Sequence, residues 1–389
     1  MTLPGIDRLA FYTTPFYLDL KDLAKANGMD EKKYYEGIGQ ERMSVMPPDE
    51  DVVTMAANAA KIALEGQDLS KITGLFFATE TSVDQSKSAG IFVHKLLGLS
   101  DYCRIVELKQ ACYSGTVALQ MATKMLKHKD DKILVIGADN ARYERASSGE
   151  ATQGCGAVAM LISHDPDILS LHDESAILTN DIMDFWRPNY RKEAIVDGKF
   201  STKVYLSAFQ ECFKRYSEDA SRTLSEIPHF LFHLPFTRIA EKALSVLFRK
   251  QPTELTQRLE KAKSSLVYNR LVGNSYTASL YIALCSLLDH TEHDLSQQNI
   301  GLFSYGSGFT AEFFTAHLVS GYQKHLKSSQ HKDMIAQRKQ LSYDEYLTFY
   351  HYQLPEDGST HTIPAYTTGA FRLAGIDQHK RIYEGNHYA

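Results

Sequence analysis

Lys132-Ile-Leu-Val-Ile-Gly137 and Gly156-Ala-Val-Ala-Met-Leu-Ile162 are the two stretches that decide the fold class. Neither alternates apolar with polar residues, as a half-exposed strand does. Both are apolar almost throughout, which marks strands buried on two faces. Working outward, further strands read at Leu3 to Tyr12, Ile72 to Ala78 and Arg104 to Leu108. Between them, apolar residues fall at helical spacing over Asp51 to Glu65, Ile91 to Leu97 and Ser114 to Lys127. Strands buried on both faces and separated by helices predict an α/β protein, with a parallel or mixed sheet covered by helices on each side.

The second half repeats the theme. Helices are predicted over Lys199 to Tyr216, Arg238 to Arg249 and Ala278 to His290, and strands over His229 to Leu234, Ile300 to Tyr305 and Thr310 to Leu318. In each half a strand leads through reactive side chains into a helix, at Glu107 to Ser114 and at Phe230 to Arg238. Each half also ends in two strands flanking a Gly-x-Gly turn, Gly154-Cys155-Gly156 and Gly306-Ser307-Gly308. The halves share no obvious sequence identity, so the duplication is one of fold. A boundary within residues 163–167 divides the chain into 1–165 and 166–389. Lys324 to Arg338 is charged and polar, and reads as an exposed helix or loop.

With 389 residues the chain has room for two domains or one large duplicated one. Its 43% hydrophobic and 23% charged residues are ordinary for a globular protein. The longest nearly uncharged apolar run, Ser279 to Leu288, is about half a membrane span, so no membrane association is expected. Met1 to Asp7 lacks a basic start followed by an apolar stretch, and no secretion signal is expected. A net charge of −5 argues against nucleic acid as a partner, though a local Lys/Arg cluster would suffice for a phosphorylated small ligand. The five cysteines, Cys103, Cys112, Cys155, Cys212 and Cys285, are scattered and form no C-x-x-C pair. That usage fits a reducing, cytoplasmic compartment. There is no nucleotide-binding glycine fingerprint, no P-loop and no metal-ligand spacing among fifteen histidines.

Cys112 lies between a predicted strand and a predicted helix, among the small residues Ala111, Ser114, Gly115 and Thr116. A sulfur beside a helix N-terminus feels orphan N–H groups and the positive end of the macrodipole, which lower a thiol pKa and favour a nucleophile. A buried structural cysteine is the alternative. Glu80 ends an apolar strand, where a partly desolvated carboxylate gains basicity suited to proton transfer, or else sits on the surface. Asp84 follows four residues later. His229 and His233 flank an apolar strand, as core residues or as a site, and the next helix carries Arg238 and Lys242 four apart, for phosphates or for solvent. Asn274 precedes a helix as a cap, turn former or ligand. Ser307, between two glycines, forms a plain turn or half of an oxyanion hole.

In this order and spacing, several motifs together resemble the thiolase superfamily and, within it, the bacterial hydroxymethylglutaryl-CoA synthases. They include Glu80-Thr-Ser-Val-Asp-Gln-Ser-Lys-Ser88, Ala111-Cys-Tyr-Ser-Gly-Thr116, Asp184-Phe-Trp-Arg-Pro188, His233-Leu-Pro-Phe236, Gly273-Asn-Ser-Tyr276 and Tyr305-Gly-Ser-Gly308. The resemblance implies a thiolase-like duplicated fold layered helix-sheet-helix-sheet-helix. It implies Cys112 as the acylated nucleophile, Glu80 as general acid/base and His233 as the residue engaging acetoacetyl-CoA. Asp30, Glu31, Tyr143, Thr152, Ser201, Lys242, Asn274 and Ser307 match substrate-binding positions, and Asp84, Asp139 and Asp184 supporting ones. The implied reaction joins acetyl-CoA to acetoacetyl-CoA with no cofactor and no metal. Where the family often has proline before Thr152, this chain has Ala151. A ketoacyl synthase of the same fold would also use Cys112, His233 and Asn274, but needs no carboxylate such as Glu80. A synthase acting on acyl-carrier-protein thioesters is a further alternative. A homodimer pairing through first-half strands is implied as well, and the apolar Lys132 to Gly137 run is expected near a sheet edge that the partner covers.

Overall fold

A computed structural model describes residues 3–220 and 223–385. In the first half β1 (Gly5–Tyr12) leads to α1 (Val52–Ala63), then β2 (Ile72–Ala78), α2 (Ala89–Leu97), β3 (Arg104–Leu108), α3 (Ser114–Met125), β4 (Lys132–Ala141) and β5 (Gly154–Ser163). The second half begins with β6 (Leu169–Thr179) and α4 (Gly198–Asp219), followed by β7 (His229–Phe232). Three helices then precede the last strand pair: α5 (Arg238–Leu247), α6 (Pro252–Val272), α7 (Ser279–His290), β8 (Asn299–Gly306) and β9 (Thr310–Leu318). The chain ends in α8 (Ser328–Ala336) and a hairpin of β10 (Phe371–Asp377) and β11 (Lys380–Gly385).

The first-half strands lie in the order β3-β2-β4-β5-β1 and the second-half strands in the order β7-β8-β9-β6. Pairing directions repeat as well. β2 is parallel to β4, which is antiparallel to β5, which is antiparallel to β1; β7, β8, β9 and β6 follow the same scheme. The second half therefore repeats the first with the counterpart of β3 missing. The halves join where β1 meets β6 through only two pairs, Gly5↔Ser170 and Ile6↔Leu169. A Cβ at residue 5 would stand 2.0 Å from the Leu169 carbonyl oxygen, so only glycine fits.

The period of two along each strand sorts side chains into layers. Phe76, Val135 and Val158 face a central core shared with α3 and α7, whereas Leu75, Phe77, Leu134 and Ala159 face α1 and α2. On β8, Ser304 meets Thr116 of α3 at 2.8 Å, while its neighbour Phe303 points the other way, onto Tyr205 and Phe209 of α4. The order is helix, sheet, helix, sheet, helix. α1 is fixed at its start by Asp51, which caps Val53 and Thr54 at 2.9 and 3.1 Å.

Three expectations need correction, and one helix was not anticipated. Lys132 to Gly137 does not lie near an edge: β4 runs between β5 and β2, so its burial is accounted for within one chain. Gly154 and Gly156 lie inside β5 rather than in a turn, and the connection before them spans residues 142–153. Gly154 is needed because a Cβ there would stand 2.4 Å from the Val272 carbonyl. Arg338 and His331, in the segment read as exposed, are 7% and 2% exposed. The 21-residue α6 went unread because its buried face includes Arg258, Ser265 and Asn269, which blur the apolar stripe.

Candidate active site

The site gathers where strand C-termini from the two halves converge. β2 and β7 occupy equivalent places in their sheets, and Glu80 and His233 follow their last residues. Open α/β sheets place ligands at such carboxyl ends.

Cys112 lies between β3 and α3. The residue before it, Ala111, adopts φ 44°, the left-handed region that non-glycine residues seldom enter. The turn of residues 306–308 presses flat on this segment. A Cβ at Gly306 would be 2.5 Å from the Gln110 carbonyl and 2.7 Å from the Tyr113 Cβ. Gln110 Nε2 in turn donates to the Ser307 carbonyl at 3.4 Å. The Ser307 turn is thereby held against the segment that carries Cys112.

Cys112 Sγ donates to Glu80 Oε1 at 3.3 Å. Burial, and then the charge of Asp139, push the Glu80 carboxyl up to about 8, against the opposing pull of Arg187 and the thiol hydrogen bond. The Cys112 thiol is itself pushed up, first by burial and then by the charge of Glu80. The expected lowering by the helix N-terminus does not prevail: half a helix charge is outweighed by desolvation and two neighbouring carboxylates. The resting pair is a protonated thiol aimed at a carboxyl group that becomes a carboxylate only as pH approaches about 8.

Asp139 on β4 is fully buried and organises the loop carrying Glu80. Its Oδ1 accepts from Thr79 Oγ1, from the Glu80 and Thr81 N–H groups and from Thr81 Oγ1, at 2.6 to 3.0 Å. Its Oδ2 accepts from the Thr277 N–H at 3.1 Å and the Thr277 hydroxyl at 2.6 Å. One carboxylate thus ties the first half to the residues preceding α7.

Aromatic rings wall the thiol. Tyr143, Phe185 and Tyr276 meet edge to face at centroid distances of 5.7 to 6.5 Å, and Cys112 packs against this cluster. Tyr276 also has a left-handed φ, 45°, and is anchored by its N–H to Asn274 Oδ1 at 2.9 Å. That oxygen accepts from Ser279 Oγ too, which leaves the amide nitrogen as what Asn274 has to offer. The Asn274 N–H donates to the Thr152 carbonyl at 3.0 Å, so these two residues come together.

His233 is 2% exposed, and burial lowers its pKa to about 3, so the imidazole is neutral. Its N–H donates to the Phe303 carbonyl, and its carbonyl accepts from the Tyr205 hydroxyl at 2.8 Å. Its Nδ1 has no partner among the described residues. Tyr205 packs on Tyr305, whose hydroxyl donates to Asp184 at 2.7 Å. Asp184 also accepts from Ser201 Oγ at 2.9 Å and from the Gly308 N–H at 3.0 Å, pinning the 306–308 turn. His229, at the far end of β7, stands near Arg258 and Lys261 instead.

Other candidates lie on the surface. Lys242 is exposed on α5 with its ammonium 5.1 Å over the Phe236 ring, while Arg238 pairs with Glu241 at 3.1 Å. Thr237 donates to the Ile38 carbonyl, bringing the segment after Asp30 and Glu31 beside α5. Asp30 and Glu31 are exposed. Asp84 is exposed and caps its own turn through the Ser86 and Lys87 N–H groups. Tyr276, Phe185 and Arg187 sit in motifs quoted above without a role; their contribution depends on packing that spacing does not reveal. Among the described residues no group of three or more His, Cys, Asp or Glu side chains is placed to hold a metal ion.

Residues 3–167 match the family model described as hydroxymethylglutaryl-coenzyme A synthase N terminal, and residues 173–258 and 249–384 match its C-terminal counterpart. The hydroxymethylglutaryl-CoA synthase of Enterococcus faecalis is 41% identical over 344 residues, 88% of this chain and 90% of that protein. A crystal structure of HMG-CoA synthase complexed with CoA superposes with a TM-score of 0.95 at 39% identity, over 99% of this chain and 100% of that one. A structure of MvaS in complex with 3-hydroxy-3-methylglutaryl coenzyme A gives 0.91 at 33% identity, covering both chains fully.

Proposed function

The chain belongs to the hydroxymethylglutaryl-coenzyme A synthase family, and on that premise we propose that it condenses acetyl-CoA with acetoacetyl-CoA through a thioester on Cys112. It is an acyl-transferring condensing enzyme of CoA thioesters, and its product, 3-hydroxy-3-methylglutaryl-CoA, feeds the mevalonate route to isoprenoids. The observation that carries the residue assignments is the Cys112 Sγ to Glu80 Oε1 hydrogen bond of 3.3 Å at the start of α3.

The Cys112 proton passes to Glu80 as sulfur attacks the acetyl carbonyl, and CoA leaves with that proton. Glu80, again a carboxylate, removes a proton from the acetyl methyl group. N–H groups of the Cys112 segment and of the Ser307 turn hold the enolate oxygen, each donor contributing roughly 3 kcal/mol. The enolate carbon attacks the ketone carbon of acetoacetyl-CoA, positioned by the neutral imidazole of His233 and the free amide nitrogen of Asn274. Glu80 returns its proton to the new alkoxide. Water then hydrolyses the thioester, releasing product and the thiol. Tyr143 and Thr152 border the acyl group, Ser201 and Asp184 fix the Ser307 turn, and Lys242 with the Asp30–Glu31 segment meets the CoA moiety at the rim. These steps draw on no cofactor. A decarboxylating ketoacyl synthase would leave the Asp139-supported Glu80 without a task.

No helix among the described residues is long and apolar enough to cross a membrane, and we place the enzyme in the cytoplasm on its cysteine usage. A homodimer fits the edge strand β3, whose Arg104 and Val106 are exposed. That edge, rather than β4, is the strand needing cover.

The test of the assignments is mass spectrometry after brief exposure to acetyl-CoA. The wild type should gain one acetyl group on Cys112 and Cys112→Ala none. Glu80→Ala should still acylate slowly while turnover falls at least about a hundredfold. A labile acetyl group on another cysteine of Cys112→Ala, or near-normal turnover of Glu80→Ala, would sink the scheme.

A further inference from the structure

Of the three rings that wall the thiol, two are fixed from within the site. Phe185 belongs to a short strand pair, Phe185↔Val196, and its neighbour Asp184 is bonded to Ser201, Tyr305 and Gly308. Tyr276 is held by Asn274 and precedes Thr277, which Asp139 grips. Tyr143 is different. It stands two residues beyond the end of β4, with a single bridge to Ala194. Its N–H donates to Gln153 Oε1 at 2.8 Å, and its carbonyl accepts from the Tyr350 hydroxyl at 2.9 Å. Both of its backbone polar groups are thus satisfied by side chains rather than by a ladder.

Those side chains are set by one further helix, α9 (Tyr343–His351). A capping box starts it: the Ser342 N–H donates to Glu345 Oε2 at 2.8 Å and the Glu345 N–H to Ser342 Oγ at 3.3 Å. Tyr343, Tyr346 and Tyr350 fall at i, i+3 and i+7 and share one face. Each grips the loop of residues 142–153. The buried Tyr346 hydroxyl donates to Glu150 Oε1 at 3.0 Å and accepts from Gln153 Nε2 at 3.1 Å. Glu150 Oε2 in turn accepts from the Ala146 N–H at 2.7 Å. The Arg142 guanidinium lies 4.0 Å over the Tyr350 ring, and Arg145 donates to the Tyr343 hydroxyl at 3.1 Å. Inside the loop, a Cβ at Gly149 would stand 2.5 Å from Tyr143 Cδ1, so the loop backbone closely backs the ring. The ring can retreat only if the loop moves.

We propose that Tyr346 and Tyr350 are positioning residues that set the length of acyl group accepted on Cys112. Acting through Gln153 and the Tyr143 carbonyl, they hold the Tyr143 ring where a two-carbon acyl group fits and a third carbon meets the ring. A close-packed wall rejects an added methylene because making room breaks the bonds that hold it. The inference rests on Cys112 as the acylated thiol.

Rates of Cys112 acylation by acetyl-CoA and by propionyl-CoA, read by mass spectrometry of the quenched full chain, test it. The wild type should favour acetyl by at least about tenfold. Tyr350→Phe keeps the ring beneath Arg142 and removes only the hydroxyl on the Tyr143 carbonyl, and should lower the acetyl-to-propionyl ratio at least about threefold. Tyr346→Phe should move the ratio the same way; if the unpaired Glu150 and Gln153 unfold it, Tyr350→Phe decides alone. A merely structural role would slow both acylations equally. A folded Tyr350→Phe with an unmoved ratio, or a wild type that takes propionyl as readily as acetyl, would overturn the proposal while Cys112 still acylates. A wild type that gains no acetyl group on Cys112 would overturn the catalytic reading instead, and this inference with it.

Discussion

Asp139→Asn is the perturbation that separates support of the site from chemistry. Oδ1 of Asp139 accepts four hydrogen bonds and Oδ2 accepts two, so the new amide nitrogen will take the Oδ2 place. The Thr277 hydroxyl can rotate and accept from it. The Thr277 N–H cannot, and is left facing a second donor in a fully buried setting. An orphaned buried donor costs about 1–3 kcal/mol. At about 2 kcal/mol the folded-to-unfolded ratio falls roughly thirtyfold, and the urea midpoint should drop with its slope unchanged. A second effect is electrostatic. The charge of Asp139 is one of the two causes that raise the Glu80 carboxyl to about 8, and a neutral amide removes it. The Glu80 pKa must then fall. Since Glu80 works as a carboxylate when it takes the methyl proton, the acid limb of the kcat/KM–pH profile should move to lower pH. A folded variant of unchanged midpoint whose acid limb stays in place would refute both parts of the reasoning.

Lys242→Ala should weaken apparent affinity for CoA substrates and blunt its dependence on salt, with little effect on kcat; equal affinity at low and high ionic strength would return Lys242 to the solvated surface. Glu50 is buried, accepts from the Tyr12 hydroxyl at 2.6 Å, and is raised to about 8 by burial first. Its folded pKa stands above the value of about 4.3 for a free glutamate, so its stabilising contribution is complete in acid and is lost as pH rises through about 8. Glu50→Gln should therefore lessen the fall of Tm between about pH 5 and 9, and an unaltered pH dependence would count against a buried titrating group. Light scattering at micromolar protein should give about twice the 43.8 kDa chain mass, and a fully active species at one chain mass would refute the dimer.

The layered fold was legible because β2, β4 and β5 carry apolar residues on both faces and their helices carry clean stripes. β6 was missed: His172, Asp173 and Glu174 fall in its middle, and an edge-like polar run hides a strand that pairs with β9 on both sides of that run and with β1 at its first two residues. At the site, Cys112, Glu80 and His233 could be singled out because each follows a strand. Their electrostatics could not. A helix N-terminus is visible in the sequence, whereas Asp139, 27 residues beyond Cys112, comes beside Glu80 only through the parallel pairing of β2 with β4. Arg338 is the opposite case: a charged residue in a polar stretch gives no sign of burial until Tyr17, Ser44 and Leu271 close round it.

The place of β1 sets a timetable for the nascent chain. Both of its neighbours in the sheet are synthesised well after it: Gly5 pairs with Ser163 and with Ser170. At roughly 5–20 residues per second, about 150 intervening residues take on the order of 8 to 30 s to appear. Throughout that interval an apolar strand with Ile6, Leu9, Ala10 and Phe11 has neither edge satisfied. The first half cannot close as a unit until β5 emerges, and the junction to the second half must wait for β6. Loop-closure entropy over such separations makes the step slow as well as late. Protection of this N-terminal segment during synthesis is therefore built into the demands of the topology.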